Sequence, residues 1–204
     1  METADRPWNL NIHFDRLLSD LVDPGSRVLD VGCGDGFLSA RLAESGCRVV
    51  GLDSDADVLD RARQRFGSHD IAWVHGDLLT CDLTDESFDA VLSNATLHHL
   101  PDTAEGLRRM KRLTRPGGRI GVVGFARNGL LDWPRSLVGA LGMAIINRVR
   151  GQWTHTAPMV TELPLTYGEM RRLSQAVLPG RRFRKLWLGR YWLAYRKPVS
   201  DHAG

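Results

Sequence analysis

The segment Val28-Leu29-Asp30-Val31-Gly32-Cys33-Gly34-Asp35-Gly36 decides the fold. Its apolar first half has the length of a buried strand, and three glycines spaced by two follow at once. Phe37 to Glu44 then reads as a helix, so a strand passes through a bare-backbone turn into a helix N-terminus. Missing side chains let a ligand press against the main chain there, at the positive end of the helix dipole. Ligands of open α/β sheets bind at that place, beyond the C-terminal ends of the strands. A dinucleotide fingerprint would put its third glycine at residue 37, which is Phe37, so this turn is a poor pyrophosphate cradle.

The same alternation extends in both directions. Upstream, Phe14, Leu17, Leu18 and Leu21 recur at helical spacing until Asp23-Pro24-Gly25 stops the helix. Downstream, strands are expected at Arg48 to Leu52, Ile71 to His75, Phe88 to Leu92 and Arg119 to Phe125. Between them lie a helix capped by Ser54 and carrying Val58, Leu59, Ala62 and Phe66, and another begun by the N-cap pair Asp102 and Glu105. Strands alternating with helices imply crossover units and a doubly wound, Rossmann-like, mostly parallel α/β sheet. The ending differs: Thr166 to Glu169 is a capping-box helix start, and Phe183 to Leu188 and Tyr191 to Tyr195 are joined only by Gly189 and Arg190. That gap is too short for a crossover and predicts an antiparallel pair. The chain is expected to be one domain over 1–204, with an N-terminal helix at 1–24, a core at 25–125, an inserted lid at 126–165 and a last helix and strand pair at 166–198.

Composition narrows the class. Of 204 residues, 43% are hydrophobic and 25% charged, which excludes extensive disorder. The longest uncharged apolar stretch, Ser136 to Asn147, falls short of the roughly 20 residues that cross a bilayer. The opening Met1 to Pro7 has no apolar leader core, and Cys33, Cys47 and Cys81 lack metal-ligand spacing, so a reduced, cytoplasmic, metal-free protein is expected. The net charge of +3 conceals an asymmetry: Arg148 to Lys197 holds eleven basic residues against Glu162 and Glu169. With no aromatic-basic recognition pattern, these charges read as a solvated strand face, and nucleic acid is not an expected partner. A membrane surface is the alternative partner, through the apolar insertion and the basic ending.

The acids along the strand ends carry the chemistry. Asp53 ends the second strand, where a carboxylate can accept hydrogen bonds from both hydroxyls of a ribose. Gly76-Asp77 follows the third strand, and an acceptor there suits the exocyclic amine of an adenine. Asp30 lies in the first strand within reach of a ligand ammonium, directly or through water. Three acids at adjacent strand ends, with no basic residue among them, suit a cationic adenosyl ligand better than a phosphorylated one. The competing reading is that Asp53 and Asp77 only cap loops.

On these residues the chain resembles the class I S-adenosylmethionine-dependent methyltransferases, in particular the small bacterial branch called methyltransferase type 11. The matching blocks are Val28 to Gly36, Gly51 to Asp53, Gly76-Asp77 and Phe88 to Val91 through Asn94 to Leu100. Arg115-Pro116-Gly117-Gly118 matches the turn before the family's fifth strand. The resemblance implies a seven-stranded sheet with an antiparallel last strand. It implies S-adenosylmethionine as cofactor and S-adenosylhomocysteine as product. Asp30, Gly32 and Gly34 would surround the methionine part, Asp53 would take the ribose, and Asp77 and Leu78 would flank the adenine, with the Asn94 main chain facing the amino group and Cys33 and Ser54 also counted as cofactor-binding. The insertion after the fifth strand would help cover a small-molecule substrate.

Methyl transfer from a sulfonium is an in-line displacement, so a general base is needed only when the accepting atom must lose its proton. His98 and His99, after the fourth strand, and His155, between Trp153 and Pro158, are the candidates. Trp8, Leu130, Leu131, Trp133, Met143, Trp153 and Met159 give the N-terminus and the insertion an apolar character, which suits an apolar or aromatic acceptor. Leu137, Leu141, Ile145 and Val149 read equally as the buried stripe of a packed helix. Three rivals stand beside this reading. A nucleotide-dependent oxidoreductase is opposed by Phe37 and Asp77. A scaffold without turnover is opposed by the intact glycines and acids. An RNA methyltransferase is opposed by Asn94-Ala95-Thr96-Leu97, which lacks the Asn/Asp-Pro-Pro-aromatic motif.

Overall fold

Strand β1 (Arg27–Val31) is buried along all but its first residue, and it pairs in parallel with strands on both sides. The structure, a computed structural model, describes residues 10–127, 165–187 and 189–199. Around β1 run β2 (Arg48–Asp53), β3 (Ile71–His75), β4 (Phe88–Asn94), β5 (Thr114–Phe125), β6 (Arg182–Lys185) and β7 (Arg190–Arg196). Their order across the sheet is β3-β2-β1-β4-β5-β7-β6, and β7 runs antiparallel to both of its neighbours. The doubly wound sheet and its antiparallel last strand are as the sequence predicts. The chain leaves β1 towards β2 on one side and returns to β4 on the other, which opens a crevice at the C-terminal ends of β1 and β4.

Period-two burial assigns the helices to faces. Val28 packs with α1 (Leu10–Ser19) and α2 (Phe37–Glu44) through Phe14, Leu18, Leu38 and Leu42. Leu29 and Val31 join Leu107, Met110 and Leu113 of α4 (Thr103–Leu113) and Met170 of α5 (Tyr167–Val177) on the other face. Helix α3 (Ala56–Phe66) buries Val58, Leu59 and Ala62. No helix among the described residues is long and apolar enough to cross a membrane.

Several boundaries and caps depart from the sequence reading. Asp55, not Ser54, caps α3, accepting from the amides of Asp57 at 3.0 Å and Val58 at 3.2 Å. Asp53 takes the Asp55 amide at 3.0 Å, which turns the chain and delays the helix by one residue. Asp102 caps α4 as expected, but the Glu105 carboxylate turns outward to Arg108 and Arg112 at 3.1 and 2.9 Å. Strand β5 begins at Thr114 rather than Arg119, because the Pro116-Gly117-Gly118 stretch is absorbed by a register shift and by Gly117 and Gly118 bonding the main chain of Lys197. Strand β6 ends at Lys185, since the Leu186 amide closes a turn onto the Arg190 carbonyl at 2.7 Å. The Thr166 capping box of α5 forms as predicted.

The basic ending is largely spent on rings. Arg182 and Arg184 lie over Trp192, Arg181 over Phe183 and Lys185 over Tyr167. These charges sit on or beside β6, the sheet's edge strand, where charge discourages pairing with another chain.

Candidate active site

The glycine turn is closed by its own amides. Gly32 and Cys33 donate to the Leu52 carbonyl at 2.8 and 3.1 Å, Gly36 to the Cys33 carbonyl at 3.0 Å, and Gly34 to Asp53 Oδ2 at 2.9 Å. The turn therefore offers a ligand room rather than donors, which is the opposite of a phosphate cradle. Gly34 shows the room: its φ is +54°, and no atom lies within 4 Å of where a Cβ would stand. Gly32, at φ +67°, is crowded instead, because the Thr96 side chain fills the place of its missing Cβ. Thr96 Oγ1 donates to the Gly32 and Asn94 carbonyls at 3.3 and 3.2 Å. It reaches that position because Ala95 adopts φ +58°, a left-handed turn that swings the chain across the end of β1. Arg61 of α3 adds a 3.1 Å ion pair to Asp35.

The predicted acids do gather along this rim, with roles divided by depth. Both oxygens of Asp53 accept backbone amides, from Gly34 and Asp55, and each retains a lone pair that can accept from a vicinal diol. Asp77 accepts the Leu79 amide at 2.7 Å and caps its own turn. Asp30 is 1% exposed and accepts a 2.7 Å hydrogen bond from Ser39 of α2, so of the two expected routes, direct or through water, its burial favours the second. Burial raises its pKa from 3.8 to about 7, against the Ser39 hydrogen bond that lowers it.

Cys33 is buried, and that burial, with Asp30 and Asp53 nearby, holds its thiol well above the ordinary range, so it fills space instead of reacting. Leu78 belongs to the core behind Asp77. Ser54 presents its carbonyl to His75 Nε2 at 3.1 Å. Asn94, at the end of β4, donates its side-chain amide to Asp15 of α1 at 2.7 Å.

The tandem histidines follow the end of β4. They form a short 3₁₀ turn with Leu97, their rings 4.1 Å apart. His98 meets the edge of the Phe125 ring at 5.0 Å, at the end of β5, while His99 turns outward and feels the field of Asp53. Burial first, then His99 and Arg190, bring the His98 pKa down to about 4, so its ring is uncharged throughout the neutral range. His98 Nδ1 is buried without a hydrogen-bond partner among the described residues. His155, the insertion tryptophans and the proposed lid beyond Arg127 lie outside the described residues.

Two site residues carry no signal in the sequence reading. Asp15 of α1, 3% exposed, is raised by burial to about 7. Arg190 opens β7 opposite Phe125, with its guanidinium carbon 4.0 Å from the Phe125 centroid and 5.5 Å from that of Phe14. Tyr167 fixes this strand end by donating to the Arg190 carbonyl at 2.8 Å. Asp15 and Arg190 lie 175 residues apart in sequence, and no local spacing announces that each acts on the other's charge.

The crevice, its acids and its donor-poor turn fit an adenosyl sulfonium. They suit a pyrophosphate less well, because the amides of Gly32, Cys33, Gly34 and Gly36 already have acceptors. Comparisons with known proteins agree. The methyltransferase-domain family matches residues 29–122. An uncharacterized methyltransferase of Mycobacterium bovis is 48% identical over 200 residues, covering 96% of this chain and 100% of that relative. A demethylmenaquinone methyltransferase of Mycobacterium sp. strain KMS is 40% identical over 105 residues, 52% of this chain and 44% of that relative. A TehB-like SAM-dependent methyltransferase of Corynebacterium glutamicum shares the fold, with a TM-score of 0.59 at 20% identity over 90% of this chain and 86% of its own.

Proposed function

The chain belongs to the methyltransferase family, and from that premise we propose that it methylates a small apolar or aromatic molecule seated beside His98 and Phe125. When bound, S-adenosylmethionine supplies an electrophilic methyl group on a positively charged sulfur and leaves as S-adenosylhomocysteine. In this reading Asp53 accepts the ribose hydroxyls, Asp77 and Leu78 flank the adenine, and the Asn94 main chain faces the methionine amino group. Asp30 adds negative potential beneath the bare face of Gly34. Alignment of nucleophile, methyl and sulfur is the protein's main contribution and is worth about 7–11 kcal/mol in favourable cases.

The observation that carries the acceptor side is the edge-on contact of His98 with Phe125 at 5.0 Å. It gives the acceptor an apolar wall next to an imidazole that stays uncharged. With a pKa near 4, that imidazole orients the acceptor by taking a hydrogen bond and is too weak to store a proton at neutral pH. The reading places the reaction in the cytoplasm, on a metabolite.

Incubation with methyl-labelled S-adenosylmethionine and a panel of phenols, quinols, carboxylates and small amines tests the proposal. Label is expected to pass into one acceptor class. Cofactor binding with no transfer to any small molecule, or transfer only to RNA or protein, would overturn it. A hydroquinone lipid is a second reading, favoured by the identity to demethylmenaquinone methyltransferase over 105 residues. Transfer to a menaquinol analogue alone would select it.

A further inference from the structure

The turn between β6 and β7 stands at the crevice end of the sheet. Arg190, where β7 begins, pairs in register with Phe125 at the end of β5, and its amide donates to the Trp187 carbonyl at 3.3 Å. Trp187 is thereby tied to the strand ends that carry the Phe125 and His98 wall. Its side chain is 63% exposed. The other large apolar side chain exposed among the described residues, Val199, lies beside Gly117 at the opposite end of β5.

Cations surround this corner. Arg184 and Lys185 end β6, Arg127 closely follows β5, and Arg172 of α5 folds back towards Gly168. All four are exposed. Arg184 lies over Trp192 and Lys185 over Tyr167, contacts that hold a cation in place without cancelling its charge. Residues 165–199 contain one acid, Glu169, whose carboxylate takes the Thr166 amide and hydroxyl at 2.7 and 2.8 Å. An indole at a turn, set among cations, matches an anionic bilayer interface: the ring sits at headgroup depth and the charges meet the lipid phosphates. Nucleic acid fits less well, because guanidinium groups already cover the Trp192 and Phe183 rings and leave no row of bare faces for bases to stack on.

We propose that this corner docks on an anionic membrane surface, with Trp187 entering the interface and Arg127, Arg172, Arg184 and Lys185 facing the headgroups. Docking there holds the acceptor wall against the leaflet, where an apolar acceptor concentrates. The contact needs no cofactor, so it stands or falls apart from the methyltransferase reading.

The test sediments the full chain, without cofactor, with vesicles of phosphatidylcholine alone or mixed equally with phosphatidylglycerol. Binding is expected to the mixed vesicles only, and it should fall steeply between about 0.05 and 0.5 M salt as the charges are screened. Trp187→Ser should weaken it at least about threefold, and Arg172→Gln and Arg184→Gln about fivefold each. Arg48→Gln removes an exposed cation at the opposite end of the sheet, where β2 begins, and should change binding by less than about twofold. An equal loss in Arg48→Gln would reduce the attraction to net charge and overturn the proposal. No binding to the mixed vesicles, or binding indifferent to Trp187→Ser, overturns it too. Binding of polyuridylate in place of the vesicles gives the surface to nucleic acid instead. Each of these failures leaves the methyltransferase reading intact.

Discussion

Asn94 and Asp15 meet through a 2.7 Å hydrogen bond that fastens the end of β4 to helix α1 across 79 residues of sequence. The bond stands beside the crevice, so the N-terminal helix is part of the site's wall and not an appendage.

Breaking that link should loosen α1. Asn94→Ala leaves the buried Asp15 carboxyl without its amide donor, at a cost of about 1–3 kcal/mol. For a chain of this size each kcal/mol is about 2–4 °C of melting temperature. Thermal unfolding followed by circular dichroism checks this; a melting temperature within 1 °C of wild type would show the link to be inert (threshold of about half a kcal/mol or less).

The two crowdings of the glycine turn predict opposite phenotypes. Gly32→Ala drives a methyl group into Thr96 and should destabilise the fold. Gly34→Ala meets open space and incurs only the left-handed strain of about 1–2 kcal/mol, yet it fills the ligand's place. Melting curves and S-adenosylmethionine titration separate them: the first variant should lose stability, the second chiefly affinity.

Asp53 should govern cofactor affinity. Asp53→Ala removes the acceptor for both Gly34 and Asp55 as well as any ribose contact, and hydrogen bonds to a charged group contribute about 1.5–3 kcal/mol each. S-adenosylmethionine affinity should fall about ten- to a hundredfold by calorimetry, and unchanged affinity would remove the ribose assignment.

The buried acids set a pH dependence. Asp30 is raised from 3.8 to about 7 on folding, so the native state binds its proton more tightly than the unfolded chain does. Its contribution is fully present below pH 3.8 and is lost as pH rises through about 7. Asp15, raised to about 7, acts in the same direction. His98 works oppositely but at lower pH, its contribution vanishing as pH falls from 6.5 through about 4. The melting temperature should therefore decline from about pH 4 to just above pH 7, most steeply above about pH 6.5 where His98 no longer opposes it, and less steeply in Asp30→Asn, which keeps an acceptor for Ser39. Cationic S-adenosylmethionine should bind more tightly over the same rise, as Asp30 ionises, and S-adenosylhomocysteine should respond less. A flat melting profile in wild type would contradict both.

The strand-turn-helix at Val28 to Gly36, the alternation around it and the acids Asp53 and Asp77 were legible because each depends on neighbours a few residues away. Strand period, glycine conformation and capping are local, and they place the C-terminal strand ends, hence the crevice, without knowledge of distant contacts. Where local signals competed, packing chose. Ser54 yielded its cap to Asp55 once Asp53 bound the next amide, and Asp30 was withdrawn from the ligand by Ser39 across the β1–α2 interface.

From its sequence alone this protein was committed to a doubly wound sheet and to an acidic rim beside a bare turn, since those follow from periodicity and from residues adjacent along the chain. Only the tertiary structure brought His98, Phe125 and Arg190 to one wall, showed that the amides of all three glycines in the turn have acceptors, and buried Asp30 deeply enough to shift its proton. Those outcomes depend on desolvation and on contacts between remote segments, and neither is written in the spacing of neighbouring residues.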